Sequence, residues 1–340
     1  MLPMIEGFVC TACRSGRVAL HYLDAPGRHG VTYELVRCRT CGVVVVWPPP
    51  TEAFLASFYS SGYDGRVKRG IILRGEDFAA ANSAVIRDGA VKLATVERLA
   101  AQRPGGDLLD IGCGYGLFVH AARARGYRAA GIDLDTEALR TGCETMALDL
   151  AEMPIEGIRS RPASYDVITA WQVIEHLRMP RASVAAVTLA LRPGGVFAGA
   201  VPNIGGVFSR IMGKRWYLLV PPEHLNYFNE SSLRRMLHES GFSPCFVGTI
   251  PLYASPYFSF GIRAAVMRFG GRTRSPALRR ACSVTQRGLT LLKRHFIYRM
   301  LNAVVMTAGL GGNSLFFVAK KPSPTASAGG THEDPEQAAS

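Results

Sequence analysis

Three groups of residues in this chain have the types and spacing that binding or catalysis requires. In the first group, an apolar run ends around Asp110 and is followed by glycines at every second position, Gly112, Gly114 and Gly116. Glycine adopts left-handed backbone angles at little cost and lets a ligand approach the main chain closely. The pattern therefore predicts a nucleotide-binding turn between a strand and a helix, although a plain strand-to-helix connection has the same spacing.

The second group consists of two cysteine pairs, Cys10 with Cys13 and Cys38 with Cys41, each with two residues between the cysteines. A turn of this length brings two thiolates to one metal ion, and two such turns complete the tetrahedron of a zinc site. We predict a structural zinc on these four side chains, because four protein ligands leave no open position for catalysis. A redox-active dithiol is the alternative.

The third group is Glu223-His224, in a loop rich in proline and aromatic residues. A histidine that an acid orients can take a proton from a hydroxyl group or an acidic carbon. We predict that His224 is a catalytic base and that Glu223 orients it; the alternative is that His224 only hydrogen-bonds a loop carbonyl. At Glu175-His176, one acid and one histidine are an incomplete ligand set, which favours a structural or substrate-lining role over metal binding.

Apolar and helical segments alternate along the chain, as is typical of an α/β protein. The predicted strands are 108–111, 129–133, 165–170, 196–201, 243–250 and 314–320. A long helix is predicted over 76–102, with Val91 among the residues of its apolar face. A further helix is predicted over 229–241, capped by Ser231 or Asn229.

The order of these segments resembles the class I S-adenosylmethionine-dependent methyltransferases. The resemblance runs from about Asp107 to Phe242 and rests on five segments: the glycine turn, Ala129 to Asp133, Asp149 to Pro154, Tyr165 to His176, and Leu191 to Val201. It implies a Rossmann-like sheet of seven strands with helices on both faces, and S-adenosylmethionine as the cofactor.

The resemblance also implies which residues hold this cofactor. Asp110 and the glycine turn would surround its methionine part, Asp133 would hold the ribose, and Asp149 with Leu150 would face the adenine; an ordinary loop acid is the alternative for Asp149. The implied cofactor-binding residues are Asp110, Gly112, Cys113, Gly114, Gly116, Asp133, Leu134, Asp149, Leu150 and Gln172.

Two narrower resemblances concern the acceptor. The cysteine ribbon with its apolar strand and prolines at 43–50, and the run from Glu223 to Phe228, are similar to sugar C-methyltransferases. Ubiquinone-type O-methyltransferases have a Glu-x-x-Glu-His motif, associated with a divalent cation, whose first position here is Gln172. The sequence is expected to end at the seventh strand, without the further C-terminal domain of the sugar enzymes, so O-methylation is at least as well supported as C-methylation.

We expect five regions: a zinc ribbon over 1–50, a helical cap over 51–103, a methyltransferase core over 104–250 and 314–321, a basic helical insertion over 251–313, and a disordered tail over 322–340. The insertion has ten lysines and arginines and no acid, in a chain with a net charge of +13. Its apolar residues recur at helical spacing. A lid on the core, a helix at an anionic membrane and a clamp for a phosphorylated substrate are the alternatives.

The predicted function is methyl transfer to the oxygen or carbon of a small-molecule acceptor, a sugar or other hydroxylated metabolite, either free or linked to a nucleotide or lipid. An RNA methyltransferase is the second hypothesis; Val201-Pro202-Asn203 disfavours nucleic acid because it is not the motif of enzymes that methylate exocyclic amines. A non-catalytic cofactor-binding protein is the third. With no uninterrupted apolar segment of about 20 residues and no signal pattern, a cytoplasmic location is expected, with peripheral membrane contact through 251–313 as an option.

Overall fold

The computed structural model describes residues 7–27, 30–55, 77–250 and 312–323. Its strands are β1 (Val18–Pro26), β2 (Thr32–Cys38), β3 (Val44–Trp47), β4 (Asp107–Ile111), β5 (Arg128–Asp133), β6 (Leu150–Glu152), β7 (Tyr165–Trp171), β8 (Leu191–Pro202), β9 (Asn226–Tyr227), β10 (Ser243–Gly248) and β11 (Ser314–Lys320). Its α-helices are α1 (Phe78–Ala81), α2 (Ser83–Ala100), α3 (Leu117–Ala124), α4 (Thr136–Met146), α5 (Pro180–Ala190), α6 (Val207–Met212) and α7 (Glu230–Glu239). Within the described ranges, no helix combines the length and the apolar character needed to cross a bilayer.

Parts of three predicted regions lie outside the described residues. The insertion predicted over 251–313 is described only at its last two residues, and the tail predicted over 322–340 only at its first two. The helical cap predicted over 51–103 is not described between 56 and 76. The amphipathic helix and the disorder predicted for these regions therefore stay predictions.

The larger sheet has seven strands in the order β10-β11-β8-β7-β4-β5-β6. Strands β6, β5, β4, β7 and β8 are parallel, and β11 runs antiparallel between β8 and β10. The predicted Rossmann-like sheet is thus confirmed. Strands β5 and β7 lie on opposite sides of β4 in the sheet. The carboxyl end of β4 is therefore a topological switch point, where ligands bind in open α/β sheets.

Helices cover both faces of this sheet. Leu108 and Phe316 pack in one cluster with residues of α2 and α3, whereas their neighbours Leu109 and Phe317 pack in another with residues of α5 and α7. Successive side chains of a strand point to opposite faces, so both must be apolar where both faces are covered. This explains why the strands appear in the sequence as continuous apolar runs.

The helix predicted over 76–102 is in fact two helices, α1 and α2, separated at Asn82. The Asn82 amide donates to the carbonyl of Phe78 at 2.9 Å, so the side chain serves the end of α1. The apolar face is also displaced from the predicted one: Val91 is 44% exposed, whereas Leu93 and Val96 are fully buried. The predicted face was wrong because α2 packs against α3 with the side of the helix that carries Gly89. A Cβ on Gly89 would lie 3.3 Å from the Phe118 side chain.

The smaller sheet has four strands in the order β1-β2-β3-β9. Strands β1 to β3 come from the predicted ribbon, but β9 directly follows the predicted catalytic loop. Val44 pairs with Tyr227 and Val45 with Asn226 in antiparallel register. The cysteine region therefore shares a sheet with the segment that follows His224.

Two substitutions in α2 test this packing. Leu93→Ala should lower the free energy of unfolding by about 2–5 kcal/mol, because it removes a fully buried side chain and leaves a cavity. Val91→Ala, two residues earlier in the same helix, should change it by less than about 0.5 kcal/mol. Urea unfolding followed by circular dichroism measures both, and equal losses would contradict the described face of α2.

Candidate active site

The predicted glycine turn follows β4 and has the backbone that glycine permits. Gly112, Gly114 and Gly116 have φ angles of 69°, 52° and 74°, all in the left-handed region. A Cβ on Gly112 would lie 2.4 Å from the Val173 side chain, and one on Gly116 would lie 2.6 Å from Leu148. A Cβ on Gly114 would meet no described atom within 4 Å. Gly114 therefore marks the open side of the turn, and the two outer glycines are also needed for packing.

Asp133, at the carboxyl end of β5, is held against this turn. One carboxylate oxygen accepts a hydrogen bond from the Gly114 N–H at 2.7 Å. The other accepts from the N–H groups of Leu134 at 2.6 Å and Asp135 at 3.0 Å. A carboxylate has about four acceptor positions, so it can accept a further hydroxyl donor while the three main-chain bonds shape the turn. The next side chain, Leu134, is 65% exposed beside it.

Asp110 is buried near the carboxyl end of β4 and accepts a hydrogen bond from the Thr169 hydroxyl at 2.6 Å. The pKa of Asp110 is raised to about 7, mainly by burial and in smaller part by the Asp133 carboxylate, against the opposing effects of Thr169 and Lys92. Asp110 is thus a buried acid that titrates close to neutrality.

Cys113 faces the interior. Its N–H donates to the Ile132 carbonyl at 3.1 Å. Its sulfur packs against Gly131, on which a Cβ would lie only 2.6 Å from the sulfur. Burial raises the pKa of the Cys113 thiol well above its ordinary value. Its N–H and thiol are therefore turned toward the sheet rather than toward the open side of the turn.

The remaining predicted cofactor residues surround the same end of the sheet. Asp149 is exposed and Leu150 is half-buried beside Gly116. Gln172, just past β7, has a left-handed φ of 59°, and its buried side-chain nitrogen has no hydrogen-bond partner among the described residues. Such a backbone and an unpaired buried amide each cost free energy, and both are typical of ligand sites.

A second cluster lies beside the turn, around the short 3-10 helix Ile174–His176. Glu175 is fully buried, and neither carboxylate oxygen has a hydrogen-bond partner in the described part of the chain. The pKa of Glu175 is raised to about 8, mainly by burial and in smaller part by the charge of Glu223. Glu175 is therefore largely protonated at neutral pH.

The two histidines of this cluster are held by main-chain carbonyls. His176 Nδ1 lies 2.7 Å from the Glu223 carbonyl, and His224 Nδ1 lies 2.9 Å from the Leu218 carbonyl. A carbonyl only accepts, so each Nδ1 carries a proton, and in the neutral form of either ring the lone pair is on Nε2. Burial lowers the pKa of His176 to about 4, which keeps it neutral, against the opposing effect of the carbonyls of Glu223 and Gln172. The ring centroids are 4.8 Å apart.

The loop-carbonyl contact that was the alternative for His224 is thus present, and it also leaves Nε2 as an acceptor. Glu223 contributes its main-chain carbonyl to His176. Its predicted action on His224 through the carboxylate stays a prediction. The ligand atoms of Glu175, His176 and His224 all lie within 4.8 Å of one another. Periodicity could not have joined His224 to Glu175-His176, because a tertiary contact brings them together.

The four predicted zinc ligands also form one cluster. The sulfurs of Cys10 and Cys41 are 3.6 Å apart, as are those of Cys13 and Cys38. A tetrahedral zinc with Zn–S bonds of about 2.3 Å separates its sulfurs by about 3.8 Å, so the cluster is compatible with zinc. The close pairs join different turns, and the described cysteines are free thiols. Burial raises the pKa of Cys13 to about 11, a cost that a bound cation offsets.

Comparison with known proteins agrees with this geometry. A family model described as a methyltransferase domain matches residues 86–244. A ubiquinone biosynthesis O-methyltransferase from Burkholderia pseudomallei is 29% identical over 153 residues, which are 42% of this chain and 66% of the relative. These matches support a class I S-adenosylmethionine-dependent methyltransferase domain over residues 86–244. The match spans just under two thirds of the relative's length.

Two solved methyltransferase structures are also similar. A phosphoethanolamine N-methyltransferase 2 from Haemonchus contortus, in complex with S-adenosyl-L-methionine, has 20% identity and a TM-score of 0.43, with 68% of this chain and 52% of that chain covered. An S-adenosylmethionine-dependent methyltransferase from Mesorhizobium loti has 14% identity and a TM-score of 0.45, with 68% and 99% covered. Neither similarity is high enough to assign an acceptor to this methyltransferase.

S-adenosylmethionine is the cofactor of this family, and the residues at the carboxyl end of β4 fit it. The open side of the turn at Gly114, the spare acceptor position of Asp133 and the Gln172 side-chain nitrogen, which has no partner in the described part of the chain, all lie there. The contact made by each predicted residue stays a prediction.

The pKa of Asp110 makes stability depend on pH. The folded protein keeps a proton up to about pH 7 that the unfolded chain loses near pH 4. The stabilisation is thus complete below about pH 4 and is lost as the pH rises through about 7. Asp110→Asn keeps the acceptor for Thr169 but cannot titrate. Between about pH 4.5 and about pH 7.5 the free energy of unfolding should fall in both proteins, and the fall should be smaller in the variant by at least about 1 kcal/mol.

Urea unfolding of the cofactor-free methyltransferase at several pH values measures this difference. Asp107→Asn is the control, because the hydrogen bond from Arg128 lowers the pKa of Asp107. Its contribution to stability is lost as the pH falls, so this variant should keep the decline toward neutral pH. An unchanged decline in Asp110→Asn would contradict the raised pKa.

Proposed function

We propose that this methyltransferase methylates a hydroxyl oxygen of a small hydroxylated metabolite, with His224 as the general base. The observation that supports it most directly is the contact between the buried His224 Nδ1 and the Leu218 carbonyl, because it puts the lone pair of the neutral ring on Nε2. Oxygen is favoured over carbon because the matched relatives are named O-methyltransferases. C-methylation of a sugar is the second candidate, supported by the run from Glu223 to Phe228.

The proposed base is connected to the cofactor turn by a short chain of contacts. Val173 lies against Gly112, the 3-10 helix Ile174–His176 follows it, and the His176 ring is next to the His224 ring. Methyl transfer is an in-line displacement, which requires alignment of the reactants and removal of the acceptor's proton. These contacts support the proposal of a proton acceptor beside the turn.

We further propose the following contacts with the cofactor. When bound, S-adenosylmethionine supplies a methyl group on a positively charged sulfur. Asp133 would accept from the ribose hydroxyls, and Leu134, Asp149 and Leu150 would face the adenine. Asp110 would help to hold the methionine part. The main chain from Gly112 to Gly116 and the Gln172 amide complete this set, in which Cys113 keeps the turn packed on the sheet.

The protein's own groups suit proton removal at His224. Nε2 takes the acceptor's proton, and the Leu218 carbonyl then stabilises the positive ring through the Nδ1–H bond. Glu175 is protonated near neutral pH, so it does not hold a competing charge in the same buried space. The buried side chains of Trp216 and Tyr227 flank this loop and help to exclude water.

His224→Ala should lower turnover at least about a hundredfold because the base is lost, while calorimetry shows unchanged affinity for S-adenosylmethionine. The acceptor is found by mass-shift screening of metabolite extracts with labelled cofactor. His238→Ala, at an exposed histidine of α7, is the matched control and should keep full turnover. A change in stability alone in His224→Ala would favour a structural role for this histidine.

The same experiment separates the other hypotheses. Salt-sensitive affinity for RNA together with labelled RNA would favour the RNA methyltransferase. Cofactor binding with no S-adenosylhomocysteine formed from any extract would favour a non-catalytic binding protein.

We propose that the four cysteines bind a structural zinc, and that residues 1–50 form a zinc ribbon beside the core of 104–250 and 314–321. Metal analysis should find about one zinc per chain. Cys38→Ser should lower zinc content and stability, whereas Cys245→Ser, at an exposed cysteine outside the cluster, should change neither. Four free thiols and no zinc in wild type would contradict this site.

A divalent cation at Glu175, His176 and His224 is an alternative that the three close ligand atoms raise. It would occupy His224 Nε2 and so exclude the base role. A second metal ion per chain that is lost in Glu175→Gln but kept in Cys38→Ser would favour it.

A further inference from the structure

Asn226 lies two residues after His224 and is 1% exposed. Its side chain contacts two segments that are far away in the sequence. The oxygen accepts a hydrogen bond from the Thr11 hydroxyl at 2.8 Å. The nitrogen donates to the Leu177 carbonyl at 2.6 Å and, at a longer 3.4 Å, to the Glu175 carbonyl. This amide therefore joins the residues around His224 to two other parts of the molecule.

Both contact segments are functional candidates. Thr11 lies inside the first cysteine turn, between Cys10 and Cys13. Glu175 and Leu177 enclose His176, whose ring contacts His224. The Asn226 side chain thus lies between the metal-binding turn and the histidine cluster.

The main chain around Asn226 is held by the same two neighbours. Asn226 pairs with Val45 in the smaller sheet, and the Val46 N–H donates to the Leu225 carbonyl at 3.0 Å. On the other side, the Leu225 N–H donates to the Glu175 carbonyl at 2.8 Å. The residue directly after His224 is therefore fixed on both sides.

The second cysteine turn is fastened to the same segment. The Asn229 side-chain nitrogen donates to the carbonyl of Gly42, which follows Cys41, at 3.3 Å. The Asn229 oxygen accepts from the Ser232 N–H at 2.8 Å and caps α7. Residues 226–229 are thus joined to both turns that supply the four sulfurs.

We propose that Asn226 is a positioning residue that makes the alignment of His224 depend on the metal-binding cysteine turns. This inference rests on the proposed base role of His224 and on zinc at the four cysteines. A metal ion that draws the two turns together fixes the Thr11 hydroxyl, and Thr11 then orients the buried amide. Without that hydroxyl the buried Asn226 oxygen would have no donor among the described residues, which favours local opening of the loop.

Thr11→Val tests this link because it removes the hydroxyl and nearly keeps the shape of the side chain. Thr40→Val is a matched control: Thr40 occupies the second cysteine turn, and its hydroxyl pairs with Ser15 at 2.7 Å on the surface. Thr11→Ser restores the hydroxyl. Each variant is prepared as the full chain with zinc, and its zinc content is measured first.

Amide hydrogen exchange read by mass spectrometry measures the loop directly, without an acceptor. In Thr11→Val, the segment 218–229 should exchange at least tenfold faster than in wild type, with β4 and β5 unchanged. Thr11→Ser and Thr40→Val should stay within twofold of wild type. Removal of zinc from wild type with a chelator should produce the same faster exchange at 218–229.

The NMR signals of labelled histidine rings provide a second readout that a general loss of stability would not reproduce. The His224 signal should shift in Thr11→Val and return in Thr11→Ser, with the His120 signal on α3 unmoved. If Thr11→Val loses zinc, Asn226→Asp replaces it, because it keeps the acceptor for Thr11 but not the donor to Leu177, and the same tenfold change is expected.

Unchanged exchange at 218–229 in Thr11→Val, or an equal increase throughout the sheet, would overturn the proposal. These outcomes are independent of the catalytic hypothesis. Full turnover in His224→Ala would remove the base role, whereas the exchange measurement would still show whether the cysteine turn holds the loop.

Discussion

The antiparallel pairing of β3 with β9 is the contact on which the arrangement of the candidate site depends. It is short, with only Val44–Tyr227 and Val45–Asn226 in register. Its stability comes from the buried side chains beside it. Tyr227 packs in one cluster with Trp216, and Phe228 packs in another with residues of both cysteine turns. Successive residues face opposite sides of a strand, so the β3–β9 pairing connects these two hydrophobic clusters. It also sets the path of the chain after His224.

Several buried polar groups lie at the candidate site. Asp110, Glu175 and the amide of Gln172 all lie away from water, and Glu175 and Gln172 have polar atoms without partners among the described residues. An unpaired buried polar group lowers stability, so a fold optimised for stability alone would replace it. Their presence at the carboxyl ends of β4 and β7 lowers stability, and residues that do so are expected at functional sites.

Much of the fold could be predicted because its elements have strong local patterns. The strands appear as apolar runs, and Asn229 caps α7 as one of the two predicted residues. The helix over 76–102 was less predictable. Its break at Asn82 and the exposure of Val91 depend on packing against α3, and periodicity alone does not show which face meets the core. Element boundaries and faces are therefore where prediction was weakest.

The sequence by itself determined the class of sheet, the glycine turn and the grouping of the four cysteines, because each depends on residues close together in the chain. Only the tertiary structure decided that His224 joins Glu175 and His176, that main-chain carbonyls orient both rings, and that Asn226 connects them to Thr11. These contacts join residues from distant parts of the chain. They depend on strand order and on the β3–β9 pairing, which no local spacing encodes.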